Sequence, residues 1–559
     1  VSVTTAETIE RAHIRDVSDL VSVVPSLRVV QLQGSQQTNF FIRGFGNGAN
    51  NVGIEPSVGV FVDGVFRSRT ASQISDFPDI QRVEVLRGPQ STLFGKNASA
   101  GVISIVTRDP QFKFGGAVEG SYGNYDAKVL KGYLTGPIAD SLAFSVAAGL
   151  NKRDGFVKDL GSDTRTNERN RWFVRGQLLF QPDDKLKIRL IGDYDKIDEN
   201  CCGIVNLRSS AATAALTSPF VGGKVTDPAH PFDDITYGNM PSTNKLENFG
   251  FSGQIDYDAG PVKLTSITAL RRTNAINDQD SDFTSARLLA TNLEDKWLRS
   301  FSQEFRVTAD LSDSISALFG VFYLNEKFRQ HGELYLDDQF RTYADLLIRG
   351  SSGGALNVGA LEGAFGAMDG NPGKYLGTFF TPTTGQNIDL GLKNQSLSIF
   401  GQFDVKVTDR LTLTFGGNYT RDKKKFVTDV TSYDTFSAID FNAAQYAPLR
   451  YNLLYQGALG SGLSATNAAA YATARMNNPL ANPLGALRSL QLFPPFVNLP
   501  NAAEDGKTSD SNFSYTLRLA YDATDNLNLY ASYATGFKAS SVNLSRDSRP
   551  PFSAAAGLA

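Results

Sequence analysis

The chain has 559 residues, of which 41% are hydrophobic and 20% are charged, and its formal net charge is −3. No apolar run reaches the roughly 18 residues of a membrane-crossing helix, so no transmembrane helix is predicted, and the charge does not favour a nucleic-acid partner. With 38 Phe, 20 Tyr and 51 Gly but only 2 Cys, the composition suits one very large β structure with aromatic belts and tight turns.

The first fifth of the chain predicts a small α/β unit. Thr5–His13 favours a short helix, and Asp16–Val24 favours a second one with Asp16 as its N-cap and Pro25 as its stop. Four strands are predicted at Phe40–Arg43, Val58–Val62, Gln81–Leu86 and Gly101–Thr107. Polar loops accompany them at 31–38, 45–56 and 66–73.

One segment, Ile80–Pro110, organises this unit: IQRVEVLRGPQSTLFGKNASAGVISIVTRDP. Its first part, Ile80–Leu86, interleaves apolar and charged residues as a half-buried strand does. Gly88-Pro89 ends that strand, because Gly permits unusual backbone angles and Pro has no N–H to pair. The near-continuous apolar run Gly101–Thr107 predicts a strand that is buried on both faces.

This segment closely resembles the end of the plug domain of TonB-dependent outer-membrane receptors. Two earlier stretches, Phe40–Gly46 (FFIRGFG) and Val58–Gly64 (VGVFVDG), are similar to two further strands of that domain. The three matches occur in the order that the family has. The resemblance implies that residues 1–112 form a plug domain inside a barrel made by residues 113–559.

Beyond the plug, hydrophobic and polar residues alternate with a period of two, in segments of about ten residues that match a tilted transmembrane strand. A cation on the lipid face costs ~2–4 kcal/mol near the midplane. We therefore expect Lys187, Arg189 and Arg518 to point inward while Ile188 and Leu190 face lipid. Thirteen strands are predicted near 117–124, 127–135, 141–151, 169–180, 185–196, 247–258, 261–272, 297–309, 314–326, 395–407, 410–421, 512–522 and 526–537.

Short and long connections alternate between these strands, which is typical of outer-membrane barrels with periplasmic turns and surface loops. The long connections are 152–168, 197–246, 273–296, 327–394 and 422–511. The predicted fold is thus mainly β, a transmembrane antiparallel β-barrel around a small N-terminal α/β plug. A bacterial barrel has an even number of strands, and the resemblance implies twenty-two. We therefore expect missing C-terminal strands after Ala559 and a TonB-coupling segment before Val1.

The resemblance also implies ion pairs between the plug and the barrel wall. The charged residues of the matched motifs are Arg43, Glu84 and Arg87. Exposed pairs contribute little, but a plugged lumen leaves little bulk solvent, so pairing is favoured there.

Ligand contacts are expected from the plug loops and from the long surface loops. The plug loops offer Gln36, Gln37, Asn47, Asn50, Asn51, Arg67 and Arg69. The surface loops offer Tyr335, Arg341 and Tyr343, together with Arg329, Phe340 and the run Phe493–Phe496. Arg with Tyr suits an anionic iron chelate, since guanidinium pairs with oxygen anions and rings cover the organic shell. Amides with aromatics would also suit a sugar.

Two other motifs are candidate sites. Neighbouring Cys201 and Cys202 in a surface loop predict a vicinal disulfide rather than two free thiols, because exposed thiols oxidise. Asp278, Asp280 and Asp282 lack the Gly and Glu that a calcium loop needs at its sixth and twelfth positions, so a solvated acidic loop is favoured. Three scattered histidines do not favour haem, and we expect no metal site, no cofactor and no catalytic residue.

The leading functional hypothesis is a TonB-dependent receptor of the Gram-negative outer membrane that imports a scarce ligand by movement of the plug. A ferric siderophore leads; an oligosaccharide, another organic compound and cobalamin are alternatives. A passive porin-like channel and a signalling receptor are the rival classes. The expected partners are TonB of the inner-membrane energy-coupling complex, outer-membrane lipid and lipopolysaccharide, and the small-molecule ligand.

Overall fold

A computed structural model describes residues 1–46, 51, 53–495 and 506–544, and the structural statements below concern these residues. Two units are distinguished by their sheets: small sheets near the N-terminus and one sheet of thirteen strands after them. No helix in the described part of the chain is long and apolar enough to cross a membrane.

The plug contains a five-stranded sheet in the order β1-β7-β8-β5-β6 and a small sheet β2-β3-β4. The strands are β1 (Ser2–Thr5), β2 (Leu27–Gln31), β3 (Thr38–Ile42), β4 (Phe45–Gly46), β5 (Val58–Val62), β6 (Val65–Arg67), β7 (Ile80–Arg87) and β8 (Gly101–Thr107). The helices are α1 (Ala6–Arg11) and α2 (Ser91–Phe94), with 3-10 turns at Val17–Ser22, Ser35–Gln37 and Thr70–Ser72. All four strands predicted for this unit are present.

The second predicted helix is a 3-10 turn, and it begins where the sequence indicates. The Asp16 carboxylate accepts a hydrogen bond from the backbone N–H of Ser18, and the Asp19 carboxylate accepts one from the backbone N–H of Asp16, which forms a capping box. Val17 and Leu20 are buried in the plug core. The cap thus fixes the direction in which this turn packs against the sheet.

All thirteen strands predicted for the barrel are present, in one antiparallel sheet in which each pairs with its neighbours along the chain. They are β9 (Gly115–Gly123), β10 (Ala127–Ala139), β11 (Leu142–Arg153), β14 (Arg169–Phe180), β15 (Leu186–Asn200), β17 (Thr243–Asp258), β18 (Val262–Asp278), β19 (Leu289–Ser312), β20 (Ile315–Leu336), β21 (Gly385–Thr408), β22 (Leu411–Ser432), β23 (Lys507–Thr524) and β24 (Leu527–Ala534). Several exceed the ten residues of the predicted span, because pairing continues beyond it toward the long loops.

The long loops form a folded surface cap rather than open connections. Their helices are α3 (Ala211–Leu216), α4 (Phe340–Ser351), α5 (Val358–Met368), α6 (Ala447–Gly460) and α7 (Ala465–Arg475), with 3-10 turns at Ala444–Tyr446, Pro479–Ala481 and Pro483–Leu490. A three-stranded sheet of β12 (Val157–Asp159), β13 (Thr164–Thr166) and β16 (Ile235–Thr236) lies in the same region of the chain. Fully buried aromatic rings such as Phe365, Phe379 and Phe436 join loops from different parts of the chain in one core, which gives the cap a fixed shape.

The inner and outer faces of the sheet follow the predicted alternation. Lys187 lies 2.5 Å from the plug carboxylate of Asp109, and Arg189 contacts Asp63 of the plug, so both cations point inward. Leu190 faces outward with 51% of its surface exposed. Arg518 lies on the same face as Thr516, whose hydroxyl bonds Thr92 of the plug.

The sheet surrounds the plug, since strands far apart in the sheet all contact it. Thr135 of β10 accepts a hydrogen bond from the backbone of Gln111. Asn244 of β17 donates one to Ser35, and Thr516 of β23 contacts Thr92. The expected placement of the plug within the sheet is therefore confirmed.

A Leu190→Arg substitution tests the register. We expect it to lower the free energy of unfolding in lipid by ~2–4 kcal/mol, because it places a cation in the apolar band. Urea titration of the protein refolded into vesicles measures this. Leu207→Arg on an exposed loop is the matched control and should change stability by ~0.5 kcal/mol or less. Equal effects of the two changes would contradict the register.

Candidate functional site

A buried ion network ties the plug to one side of the barrel wall, and Glu55 of the plug is its centre. The Lys96 ammonium lies 2.9 Å from the Glu55 carboxylate and 2.5 Å from Asp422 of β22. Lys424 of β22 lies 3.5 Å from Glu55, and Asn394 of β21 donates a hydrogen bond to the Glu55 carboxylate. All five side chains are almost completely buried, so the charges have protein partners in place of water.

The network keeps Glu55 ionised. Burial by itself would raise the pKa of this carboxyl, but Lys96, Lys424 and Arg69 outweigh burial and hold the pKa below its ordinary value. Lys96 shows the converse: burial disfavours its charge, while Glu55 and Asp422 raise its pKa. Each charge is thus maintained by its partners, and removal of one would leave a buried charge uncompensated.

Arg69 extends the network to a third wall strand. Its guanidinium donates two hydrogen bonds, of 2.9 and 2.7 Å, to one oxygen of Glu326 in β20, and it lies 3.7 Å from Glu55. Ser68 donates to the other oxygen of Glu326. The charge of Arg69 is therefore balanced by carboxylates of the protein itself. The sequence had led us to expect that Arg69 would bind an anionic ligand instead.

A second set of ion pairs fixes another part of the plug to β14 and β15. Arg171 of β14 lies 3.0 Å from Asp16 and 3.4 Å from Asp76 of the plug, and it also pairs with Glu199 of β15. Asp63 of the plug contacts Arg175 and Arg189. These pairs were not predicted from the sequence, although the inward position of Arg189 was.

The three residues expected to form plug–wall ion pairs do not form them in the described structure. Glu84 pairs at 2.6 Å with Arg82, two residues away on the same face of β7. Arg87 donates to the hydroxyl of Ser2 on the neighbouring strand β1. Arg43 is exposed at the turn after β3, with φ of 53°, and has no ion pair within 4.0 Å among the residues described. The side chains point along or away from the plug sheet, so their charges do not reach the wall.

Four of the residues predicted to bind ligand come together around one cavity on the long-loop side of the plug. Gln36, Gln37, Asn51 and Arg69 line it, facing Lys296 of β19, and its volume is about 50 Å³. We call it the outer cavity. Apolar side chains such as Leu298 and Phe328 complete its lining, as expected for a pocket with a few polar groups that orient a ligand.

Two amide groups of this cavity have unused hydrogen-bonding capacity. The Gln36 carbonyl accepts a hydrogen bond of 3.2 Å from Lys296. The side-chain nitrogen Nε2 of Gln36 and the side-chain oxygen Oε1 of Gln37 are buried. Neither atom has a hydrogen-bond partner in the part of the chain that the structure describes. Because unpaired buried polar groups are costly, these two groups are suited to a ligand or to water.

The other candidate ligand residues lie elsewhere. Arg67 lies below the outer cavity, in a separate small cavity with Asp193 and Arg271. Tyr335, Arg341 and Tyr343 belong to the surface cap and its base. Arg341 pairs with both oxygens of Glu362, the Tyr335 hydroxyl donates to Asn387, and Tyr343 packs on the cap core. Asn47 and Asn50, and Phe496 of the run Phe493–Phe496, lie outside the described residues.

The cysteine and aspartate motifs both have structural roles in the surface loops. Cys201 and Cys202 form the expected vicinal disulfide, and Gln279 donates hydrogen bonds to both sulfurs. Asp280 and Asp282 accept hydrogen bonds from the backbone of their own loop. Those carboxylates thus stabilise a turn, and no group of three or more metal-ligating side chains is found in the described ranges.

Sequence reasoning missed Glu55, Lys96, Glu326, Asp422 and Lys424. The signal that could have found the last three is their alternation with outward residues, which places a carboxylate or ammonium on the inner face of a strand. Glu55 lies in a polar loop and Lys96 after a short helix, where no periodicity indicates which way a side chain points.

Two family models match this chain, and parts of it are similar to known receptors. Residues 1–102 match the family model described as TonB-dependent Receptor Plug Domain, and residues 225–556, more than half of the chain, match TonB dependent receptor-like, beta-barrel. The pesticin receptor of Yersinia pestis is 33% identical over 153 residues, covering 27% of this chain and 22% of that protein. The ferrioxamine B receptor of Salmonella typhimurium LT2 is 25% identical over 232 residues, covering 41% and 31%.

Solved structures show the same fold. The ferric yersiniabactin uptake receptor from Yersinia pestis superposes with a TM-score of 0.67 at 17% identity, over 96% of this chain and 64% of that one. This chain therefore spans less than two thirds of the length of each of these three proteins.

Replacement of Lys96 tests the ion network. We expect Lys96→Met to lower the free energy of plug unfolding by ~3–5 kcal/mol, because Glu55 and Asp422 keep their buried charges with one cation fewer. Urea titration monitored by protease sensitivity of the plug measures it. Lys113→Met, at an exposed position, is the matched control. The double change Lys96→Met with Asp422→Asn should recover part of the loss, and a single change as mild as the control would contradict the network.

Proposed function

Because this chain belongs to the family of TonB-dependent receptors, we propose that it imports a ferric siderophore across the outer membrane of a Gram-negative bacterium. Members of this family are transporters rather than enzymes. In this proposal TonB, driven from the inner membrane, supplies the work that moves the plug. The outward-facing apolar side chains of the sheet contact membrane lipid and lipopolysaccharide.

The observation that carries the proposal is the attachment of the plug to two separate parts of the wall by buried ion pairs. Glu55 and Lys96 bind it to β21 and β22, while Asp16 and Asp63 bind it to β14 and β15. Removing one partner of a buried pair is costly, so thermal motion does not open this lumen readily. A passive porin-like channel would have no use for such a closure, whereas an energy-coupled receptor needs it.

Two observations support a ferric siderophore as ligand. Two of the similar proteins are named for ferrioxamine B and for ferric yersiniabactin, which are iron chelates. The outer cavity offers amides, the Lys296 ammonium, which also pairs with Glu294 at 2.6 Å, and apolar side chains on the side where a ligand would arrive. Amide and ammonium donors suit the oxygen atoms of an iron chelate, and the apolar part suits its organic shell. An oligosaccharide, another organic compound and cobalamin are the alternatives that binding measurements would separate.

An uptake assay tests the proposed function. We expect cells that carry the full-length protein and lack their own siderophore receptors to accumulate ⁵⁵Fe from its ferric siderophore. A proton uncoupler or deletion of TonB should abolish this uptake, since the plug would not be moved. Uptake that persists under both conditions would identify a passive channel and overturn the proposal, and the empty vector is the control.

The role of the outer cavity is tested by Gln36→Ala. We expect the affinity for the ferric siderophore to fall about tenfold, which corresponds to the ~1–1.5 kcal/mol of one hydrogen bond. Fluorescence quenching by the ferric chelate measures binding. Gln31→Ala, on an exposed part of the same loop region, is the matched control, and unchanged affinity of the Gln36 variant would exclude this residue from the ligand site.

A further inference from the structure

A second, larger cavity lies on the short-turn side of the plug, against the same part of the wall as the outer cavity. Its volume is about 440 Å³, and its lining is mostly polar. Arg82 and Glu84 of the plug face Glu304 and Arg306 of β19 across it. We call it the inner chamber. Since β19 ends at Ser312, shortly after these two residues, the chamber belongs to the periplasmic half of the barrel.

The two cavities are stacked along β18, β19 and β20. On β18 the chamber reaches Ile267, and the outer cavity begins at Thr273. At ~3.3 Å per residue, these positions are about 20 Å apart along the strand. On β19 the inward residue Ser302, which is buried, lies between the two cavities. The inward side chains at this level are the small Ala269 and Ser302, together with Arg271 of β18, whose guanidinium is paired with Asp193 of β15.

The plug segment Val65–Arg69 separates the two cavities. Val65 packs against Ile267 and Ala269 of β18, and Phe66 packs in a cluster with Leu324 of β20. Ser68 and Arg69 close the remaining side through Glu326, as described above. All five residues of the segment are buried.

The contacts of the plug with β17, β18 and β19 differ in kind from its contacts with the strands on either side of these three. Within the described ranges, no ion pair of 4.0 Å or less joins the plug to β17, β18 or β19. In contrast, β14, β15, β20 and β22 each form at least one ion pair with the plug. The plug meets β18 through the apolar contacts of Val65 and of the plug core with Ala275, and it meets β19 through a hydrogen bond from the Lys296 ammonium to the neutral amide of Gln36. If the plug separated from β18, β19 and β20, the ion pair of Arg69 with Glu326 would break. The other buried ion pairs between the plug and the wall would stay intact.

We propose that the ligand passes between the plug and the wall formed by β18, β19 and β20, that the inner chamber receives it, and that Val65–Arg69 is the barrier that moves. The proposal rests on the transport function proposed above. Displacement of this segment would join two cavities that already exist, with the rest of the plug still held by Glu55 and Asp63. Movement of the whole plug would instead require every buried ion pair to break.

Cross-linking tests the route in the full-length protein, with Cys201 and Cys202 replaced by Ser. The pair Val65→Cys and Ala269→Cys ties the barrier to the wall. The pair Thr92→Cys and Thr516→Cys, whose native hydroxyls are 2.7 Å apart, ties the plug to β23 and is the matched control. Mass spectrometry establishes that each disulfide has formed.

After oxidation we expect the barrier cross-link to reduce ⁵⁵Fe uptake at least tenfold with unchanged siderophore affinity, and reduction to restore uptake. The β23 cross-link should leave uptake intact. Normal uptake with the barrier tied would overturn the proposal, as would equal loss with both cross-links, which would mean that the whole plug moves. Failure of the uncrosslinked protein to take up the chelate would refute the proposed function instead, so the two failures are distinguishable.

A labelling experiment gives a second readout that needs no cross-link. We expect Ala269→Cys to react with a membrane-impermeant maleimide only when ferric siderophore and TonB are both present, because the barrier then leaves the wall. Thr516→Cys, which faces the plug at β23, should stay protected. Protection of Ala269→Cys during active uptake would overturn the proposed route.

Discussion

Buried charge in a lumen filled by protein is the constraint on which this structure depends. A charged side chain on the lipid face of the barrel is costly, so the ionisable residues of the strands point inward. There the plug takes the place of water, and each inward charge must find a partner on it or on a neighbouring strand. The cluster around Glu55, the contacts of Asp63 and the pairs of Arg171 are places where this requirement is met.

The same constraint holds the plug in a defined position. Ion pairs that are buried hold two bodies in a defined position, yet they can form again with the same partners once the bodies return. Apolar packing of Val65 on β18 and the amide of Gln36 on β19 are weaker attachments than the pairs of Lys96 or Arg171. Among the described strands, β17, β18 and β19 contact the plug without an ion pair, whereas β15 and β20 on either side of them each pair with a charge of the plug.

The surface cap adds a second level of organisation. Loops that start from several hairpins contribute aromatic residues to one core, with Phe365, Phe379, Phe380 and Phe436 fully buried in it. Because this core fixes the loops, residues such as Arg341 serve the cap itself, through Glu362. At the plug apex, by contrast, the amide of Gln36 is buried but only partly paired.

The sequence by itself determined the thirteen strands, their inward and outward faces, the plug and the N-cap at Asp16, because each depends on local periodicity or on a short motif. It also indicated that Gln36, Gln37, Asn51 and Arg69 belong near a ligand, and the structure brings these four to one cavity. Only the tertiary structure decided which charges meet. Glu55 and Asp422 are more than three hundred residues apart, and the shared partner Lys96 is defined by how the wall curves around the plug. Arg43 and Arg87 lie in the plug motifs, but Arg43 is exposed at a turn and Arg87 bonds Ser2 on the neighbouring strand, and no periodicity in a single chain encodes those directions.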